Sequence, residues 1–200
     1  GPDEETVNNI INGSYMYGIP LADLLDYVVD IAGYLVEKKL KVNEISHADA
    51  YLSRKVISRS VDSLNKDKPN SSFNGKNALC VNFEDNLPDI GVIMSEALLR
   101  HKGYNVFNTG SHAYLGDLED VIKSKKIHLL LFYLCDMQCC NAVASENILK
   151  TTEQVKEVLS LAKSINLKVV FGGLGLSNLK GVKPLIKHSF LTFHNLQKIV

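Results

Sequence analysis

Two hundred residues, 46% hydrophobic and 22% charged, are enough for one or two domains with a proper core. Lysine plus arginine balance aspartate plus glutamate at 22 each, so no overall basic field recruits nucleic acid or an anionic membrane. No apolar run approaches the roughly 20 residues that span a bilayer, and no signal peptide is visible.

Gly1–Pro2 reads as the scar of a cleaved tag, so the natural chain is expected to start upstream. Cys80, Cys135, Cys139 and Cys140 lack paired C-x-x-C spacing, which argues against structural zinc. Reduced thiols in a cytoplasm are the expectation.

Residues 4–65 read as helices throughout, within a helical domain at 1–65. The stretch IPLADLLDYVVDIAGYLVEKKL (19–40) puts Leu21, Leu24, Leu25, Val28, Ile31 and Leu35 at helical spacing. Asn43 or Ser46 is placed to cap a following helix over 47–64. The cluster of Asn, Lys, Pro, Ser and Gly at 65–77 breaks the pattern, and we assign 66–77 as a linker.

From 78 to 200 the pattern alternates. Short β-rich runs at 78–83, 104–109, 127–135, 168–173 and 189–193 are separated by helical runs at 89–102, 115–125, 150–165 and about 178–187. Strands alternating with helices predict a five-stranded parallel, doubly wound, flavodoxin-like sheet behind an N-terminal helical bundle, an α/β fold. The almost wholly apolar third run suits a central strand. The long connection after it, DMQCCNAVASENILKTT, sits where α/β proteins carry functional loops.

Several short motifs carry a resemblance. The turn after strand one ends in Asp89, Ile90, Gly91; the next strand opens with GYNV at 103–106; strand four ends in Gly172–Gly173; and the bundle contains ISHADAYLS at 45–53. In chain order, with the bundle and linker first, and over nearly the whole chain, they resemble cobalamin-binding modules. Such modules occur in methionine synthase, in corrinoid proteins of methyltransferases, and in light-sensing transcriptional regulators.

The resemblance implies a site, and the sequence departs from it residue by residue. The family turn reads D-x-H-x-x-G, where the His is the lower axial ligand of cobalt and the Asp orients its ring. Here Asn86 stands for the Asp and Pro88 for the His, while Gly91 is retained. The family S-x-L at the end of strand three keeps a small Ser where the nucleotide tail of cobalamin enters the sheet. The aligned residues are Tyr133, Leu134 and Cys135. The Glu-His pair that caps the upper face is Ala50 and Tyr51, and this chain has no Trp.

Proline offers no donor atom to cobalt, and it suits the first turn of a helix, where its N–H would be unpaired anyway. Tyr51 either packs as an apolar ring or serves as an oxygen ligand. His47, one turn before it on the same face, is a surface residue or a weak candidate metal ligand. Cys135, Cys139 and Cys140 gather near the C-terminal edge of the sheet, as small hydrophobes or as thiolates. Gly172 and Gly173 serve either close approach to a ligand or a turn.

No P-loop, nucleophile elbow or His-rich metal motif is present, and the carboxylates lie on solvated helix faces, so an enzyme is not expected. The resemblance implies a sensory or protein-interaction module of a transcriptional regulator or antirepressor that has lost its axial His. It is expected to hold no cofactor, with cobalamin or haem as the candidates, and to meet a protein partner of the regulator or photoreceptor type. The alternative is a corrinoid carrier of a methyltransferase system, or a haem sensor on the same scaffold. Tyr133, Leu87 and their apolar neighbours are expected to close the tail channel.

Overall fold

The computed structural model describes residues 3–65, 73–83, 90–110, 115–134 and 145–200. The chain divides into two compact units, Gly1–Asn70 and Ser71–Val200.

In the first unit, α1 (Glu4–Met16) starts at Asp3, whose carboxylate accepts from the Glu5 N–H at 3.1 Å. Next come α2 (Leu21–Leu24), one π-helical turn (Leu25–Val29) and α3 (Asp30–Lys41). Ser46 caps α4 (His47–Ser63) through a reciprocal box: its hydroxyl accepts from the Asp49 N–H at 3.0 Å, and the Asp49 carboxylate accepts from the Ser46 N–H. This decides between the two predicted caps, because Asn43 instead adopts a positive φ of 58° in the preceding turn. α1 is tied to α4 by the Asn12 amide donating to the Ser63 hydroxyl at 2.8 Å. α3 is tied to α4 by the largely buried Glu37–Arg54 ion pair at 3.1 Å.

The single helix predicted over 19–40 is interrupted, and the interruption has a consequence. A π turn holds one residue more than the α ladder and rotates everything after it by about 100°. Ile31 and Leu35, expected on the buried stripe, are 46% and 47% exposed, and α3 buries Glu37 and Leu40 in their place.

In the second unit, β1 (Asn77–Val81), β2 (Asn105–Asn108), β3 (Ile127–Tyr133), β4 (Lys168–Gly172) and β5 (Ser189–Phe190) pair in parallel in the order β2-β1-β3-β4-β5. This is the flavodoxin-like order. Crossovers run through α5 (Ile90–His101), α6 (Leu115–Ser124) and α7 (Ile148–Ser164), and α8 (Phe193–Ile199) closes the chain.

Period-two alternation gives the sheet two buried faces. On one, Phe83, Phe132 and Phe171 stack across neighbouring strands, at centroid distances of 4.6 and 5.3 Å. They share a core with Leu118 and Ile122 of α6 and Val155 and Val158 of α7. Residues of the opposite parity, Cys80, Leu131, Tyr133, Val170 and Gly172, face the other way, toward α5 and α8.

Two predicted elements are corrected. The helix expected at about 178–187 is replaced by two 3₁₀ turns, Leu174–Asn178 and Lys183–Leu185. Gly181 and Pro184 fall inside that run and break an α ladder, while Leu179 and Val182 still bury themselves in the core. The strand expected over 189–193 ends at Phe190. Thr192 turns the chain into α8, its hydroxyl accepting from the Asn195 N–H at 3.2 Å.

Candidate functional site

In an open α/β sheet the ligand crevice lies beyond the strand C-termini, where the strand order reverses. Here that point falls between β1 and β3. The residues at it are Asn82, Phe83, Tyr133 and Leu134, flanked by Gly91 at the start of α5 and Gly172–Gly173 at the end of β4. Asn86, Pro88 and Leu87 of the predicted turn, and Cys135, Cys139 and Cys140 of the long loop, lie outside the described residues.

Asn82 joins the two strands at this edge. It is fully buried, and its side-chain oxygen accepts from the Tyr133 N–H at 3.2 Å. Its own N–H donates to the Gly110 carbonyl at 3.3 Å, which ties the end of β2 to the same point. A polar residue in an apolar run was the available signal for it, and the sequence reading passed it over.

Tyr133 is buried on the α5/α8 face and rests on the backbone of Gly91. A Cβ placed on Gly91 would lie 2.1 Å from Tyr133 Cδ1 and 2.6 Å from Cγ, so any side chain there collides with the ring. Tyr133 also stacks on Phe193, with centroids 6.2 Å apart and planes 9° from parallel, and meets Phe190 at 6.0 Å. Phe190 and Phe193 meet edge to face at 5.8 Å. The three rings form one cluster across β3, β5 and α8. Phe190 and Phe193 were missed as site residues because the run 189–193 reads as a strand.

The other two site glycines have the same explanation. A Cβ on Gly172 would stand 2.2 Å from Phe190 Cζ. Gly173 has φ of +93°, and a Cβ there would lie 2.1 Å from the Leu134 carbonyl oxygen. That close approach is stitched by main-chain bonds: the Leu134 N–H donates to Gly172 at 2.8 Å, the Gly173 N–H to Phe190 at 3.1 Å, and the Gly175 N–H to Leu134 at 2.8 Å. The sequence left ligand approach and turn open for Gly172 and Gly173. The contacts show that the chain's own groups occupy the space a Cβ would take at all three glycines.

A second polar network sits on the same face toward β2. Glu96 of α5 is buried; it accepts from the Arg100 guanidinium at 2.8 Å and from the Asn108 amide at 2.6 Å. Arg100 also donates to the Val106 carbonyl at 2.7 Å. Cys80 lies fully buried on β1, paired in register with Asn108. Burial, and secondarily the Glu96 charge, push its thiol far above the ordinary range, which makes it a small hydrophobe.

In the helical unit, Ala50 is buried, whereas His47 is exposed and Tyr51 is 51% exposed, one turn apart on α4. Among the described residues no group of three or more His, Cys, Asp or Glu side chains is arranged to hold a metal ion, and no helix is long and apolar enough to cross a membrane.

No protein-family model matches the sequence, and neither does any curated protein. Solved structures do. A monomethylamine corrinoid protein of Methanosarcina barkeri superposes with a TM-score of 0.64 at 14% identity, over 98% of this chain and 93% of that one. A cobalamin-binding protein of Desulfitobacterium hafniense matches at 15% identity and TM-score 0.45, over 98% and 90%. A methanol:cobalamin methyltransferase complex of Methanosarcina barkeri matches at 16% and 0.38, over 98% and 79%. With its helical unit and its parallel sheet of order β2-β1-β3-β4-β5, the chain has the cobalamin-binding-domain fold of the monomethylamine corrinoid protein.

Proposed function

We propose that the chain is a corrinoid-protein-type module that acts by docking on a protein partner of the methyltransferase kind. It does so without taking cobalamin in the mode that needs a protein imidazole on cobalt and an extended nucleotide tail. The observation that carries this reading is the Tyr133 ring lying on Gly91, backed by Phe193 and Phe190, where the resemblance calls for a small Ser beside an open slot. Pro88 agrees with it independently, since it has no atom to give cobalt. The residues present therefore do not suit that mode. A corrinoid retaining its own benzimidazole as lower ligand would need neither the slot nor the His.

The carrier architecture is preferred over the regulator or antirepressor with a photoreceptor-type partner. The supporting likeness is to a corrinoid protein, and it spans 93% of that chain. A haem sensor draws less support: His47 stands exposed at the first turn of α4.

The test is titration of the purified protein with hydroxocobalamin and with cobinamide, which lacks the nucleotide tail, followed by absorbance and calorimetry. The reading expects no shift to a base-off spectrum with cobalamin, and cobinamide binding no weaker than cobalamin. Tight cobalamin binding with a base-off, imidazole-ligated spectrum would overturn it.

A further inference from the structure

The helical unit contains a groove that its own packing leaves open. α1 and α3 both pack on α4, and between them Asp49, Ser53 and Ile57, each one turn apart on α4, form a floor. Ile10 and Ile11 of α1 make one wall; Val28 of the π turn, with Ala32 and Leu35 of α3, makes the other. The groove encloses about 710 Å³. That lies within the roughly 300–1,000 Å³ of small-molecule sites, which are mostly apolar with a few polar groups.

The wall owes its form to the π turn. By rotating α3 it leaves Leu35 half exposed while lining the groove together with Val28. Such turns recur at functional sites. From Val28 to Lys39 the wall runs about 17 Å at about 1.5 Å per residue, room for a medium-length alkyl chain.

Two charged side chains line the groove, Asp49 and Lys39. Asp49 is committed to the Ser46 cap, at 2.6 Å from its hydroxyl, and the Ser53 hydroxyl donates to the Asp49 carbonyl at 2.8 Å. Lys39, in the last turn of α3, lines the groove, and among the described residues its ammonium group has no ion-pair or hydrogen-bond partner. We propose that this groove binds an amphipathic monocarboxylate, a free fatty-acid-like molecule whose chain lies between α1 and α3 and whose carboxylate meets Lys39. The proposal does not depend on what the sheet edge binds.

The test uses the whole chain and laurate, below its micelle concentration, by calorimetry and by displacement of fluorescent cis-parinarate. One saturable site is expected. Ala32→Trp should fill the groove and weaken laurate at least tenfold. Lys39→Glu, a surface change that leaves the fold intact, should weaken laurate severalfold and favour dodecylammonium instead. Absence of laurate binding, unchanged affinity in folded Ala32→Trp, or indifference to Lys39→Glu would overturn the proposal. Displacement of parinarate by an apolar helical peptide but not by laurate would overturn it too, by assigning the groove to a partner helix.

Discussion

The Tyr133 ring of β3 rests on the bare backbone of Gly91 at the start of α5, so closely that a single methyl at 91 would sit 2.1 Å from Cδ1. The two positions are 42 residues apart (133 − 91) and share one volume. Gly91→Ala is therefore an overpacking change, and such changes cost about 1–3 kcal/mol. The ring cannot retreat freely, because Phe193 stacks on it from α8. Denaturant unfolding should show the loss in Gly91→Ala and a smaller one when Tyr133→Ala is already present. Strict additivity in that double-mutant cycle would mean that the two residues do not contend for the same space.

Gly173 makes a second, sharper case. Its φ of +93° and the Leu134 carbonyl 2.1 Å from a notional Cβ both oppose any side chain. Gly110 supplies the control: its φ is +71°, but among the described residues nothing lies within 4 Å of a notional Cβ. Gly110→Ala should cost only the backbone strain, about 1–2 kcal/mol. Gly173→Ala should cost clearly more, because the β3–β4 edge must part. Equal midpoints for the two variants would show that the close approach at Leu134 contributes nothing.

These contacts mark the limit of what was legible in the sequence. Long apolar runs bounded by polar turns placed β1 and β3 to within two residues, because central parallel strands must be apolar on both faces. Tyr133 was legible as a departure from a small residue. Its seat on Gly91 was not, since a glycine announces free space without saying which group takes it. The helical stripe over 19–40 was read as one period, and the π turn shifted its phase between Val28 and Ile31. Phe190 and Phe193 look like one strand. Only the Thr192 cap, a pattern of two residues, separates β5 from α8.

Cys80 gives a pH prediction with a definite sign. Burial raises its folded-state pKa, so the native state holds the thiol proton while the unfolded chain releases it near pH 8.5. The resulting stabilisation is complete below about pH 8.5 and is lost as pH rises above it, at up to about 1.4 kcal/mol per pH unit. Cys80→Ala should be less stable at pH 7 but flatter between pH 8.5 and 10. In a variant with Cys135, Cys139 and Cys140 all changed to Ser, Cys80 should resist a thiol-specific disulfide reagent until the protein unfolds. Prompt native-state reaction would place the thiol in contact with solvent.

Glu96 should be the costliest carboxylate of the sheet unit to remove. Its two oxygens accept from Arg100 and Asn108, so Glu96→Ala leaves the Asn108 amide without this acceptor and leaves the Arg100 guanidinium only its neutral partners such as the Val106 carbonyl. Removal of one partner from a fully buried pair costs about 3–5 kcal/mol, and the Arg100 side chain, 36% exposed, can recover water, which brings the expectation to about 2 kcal/mol. Glu119→Ala, whose pair with Lys123 is surface-exposed, should cost no more than about 0.5 kcal/mol. Similar losses in the two variants would mean that the Glu96 network is not a buried one in solution.

The last prediction separates the two departures from the cobalamin site. Asn86→Asp with Pro88→His restores the ligand chemistry of the turn but leaves Tyr133 on Gly91 and the aromatic cluster intact. If the ring is what excludes the nucleotide tail, this double variant should still fail to give a base-off spectrum with cobalamin. Adding Tyr133→Ser removes the ring at a stability cost on the order of 3–5 kcal/mol, as for other buried aromatics. Folding should therefore be checked first by circular dichroism. The folded triple variant should then bind cobalamin, and electron paramagnetic resonance of its cobalt(II) form should show nitrogen coupling from a protein imidazole. The same coupling in the double variant would show that the missing His was the whole obstacle. Failure of the folded triple variant to improve on the double would show that Tyr133 does not guard the slot. Either result would remove the observation on which the proposed mode of action rests, because Tyr133 would then be packing without consequence for the ligand.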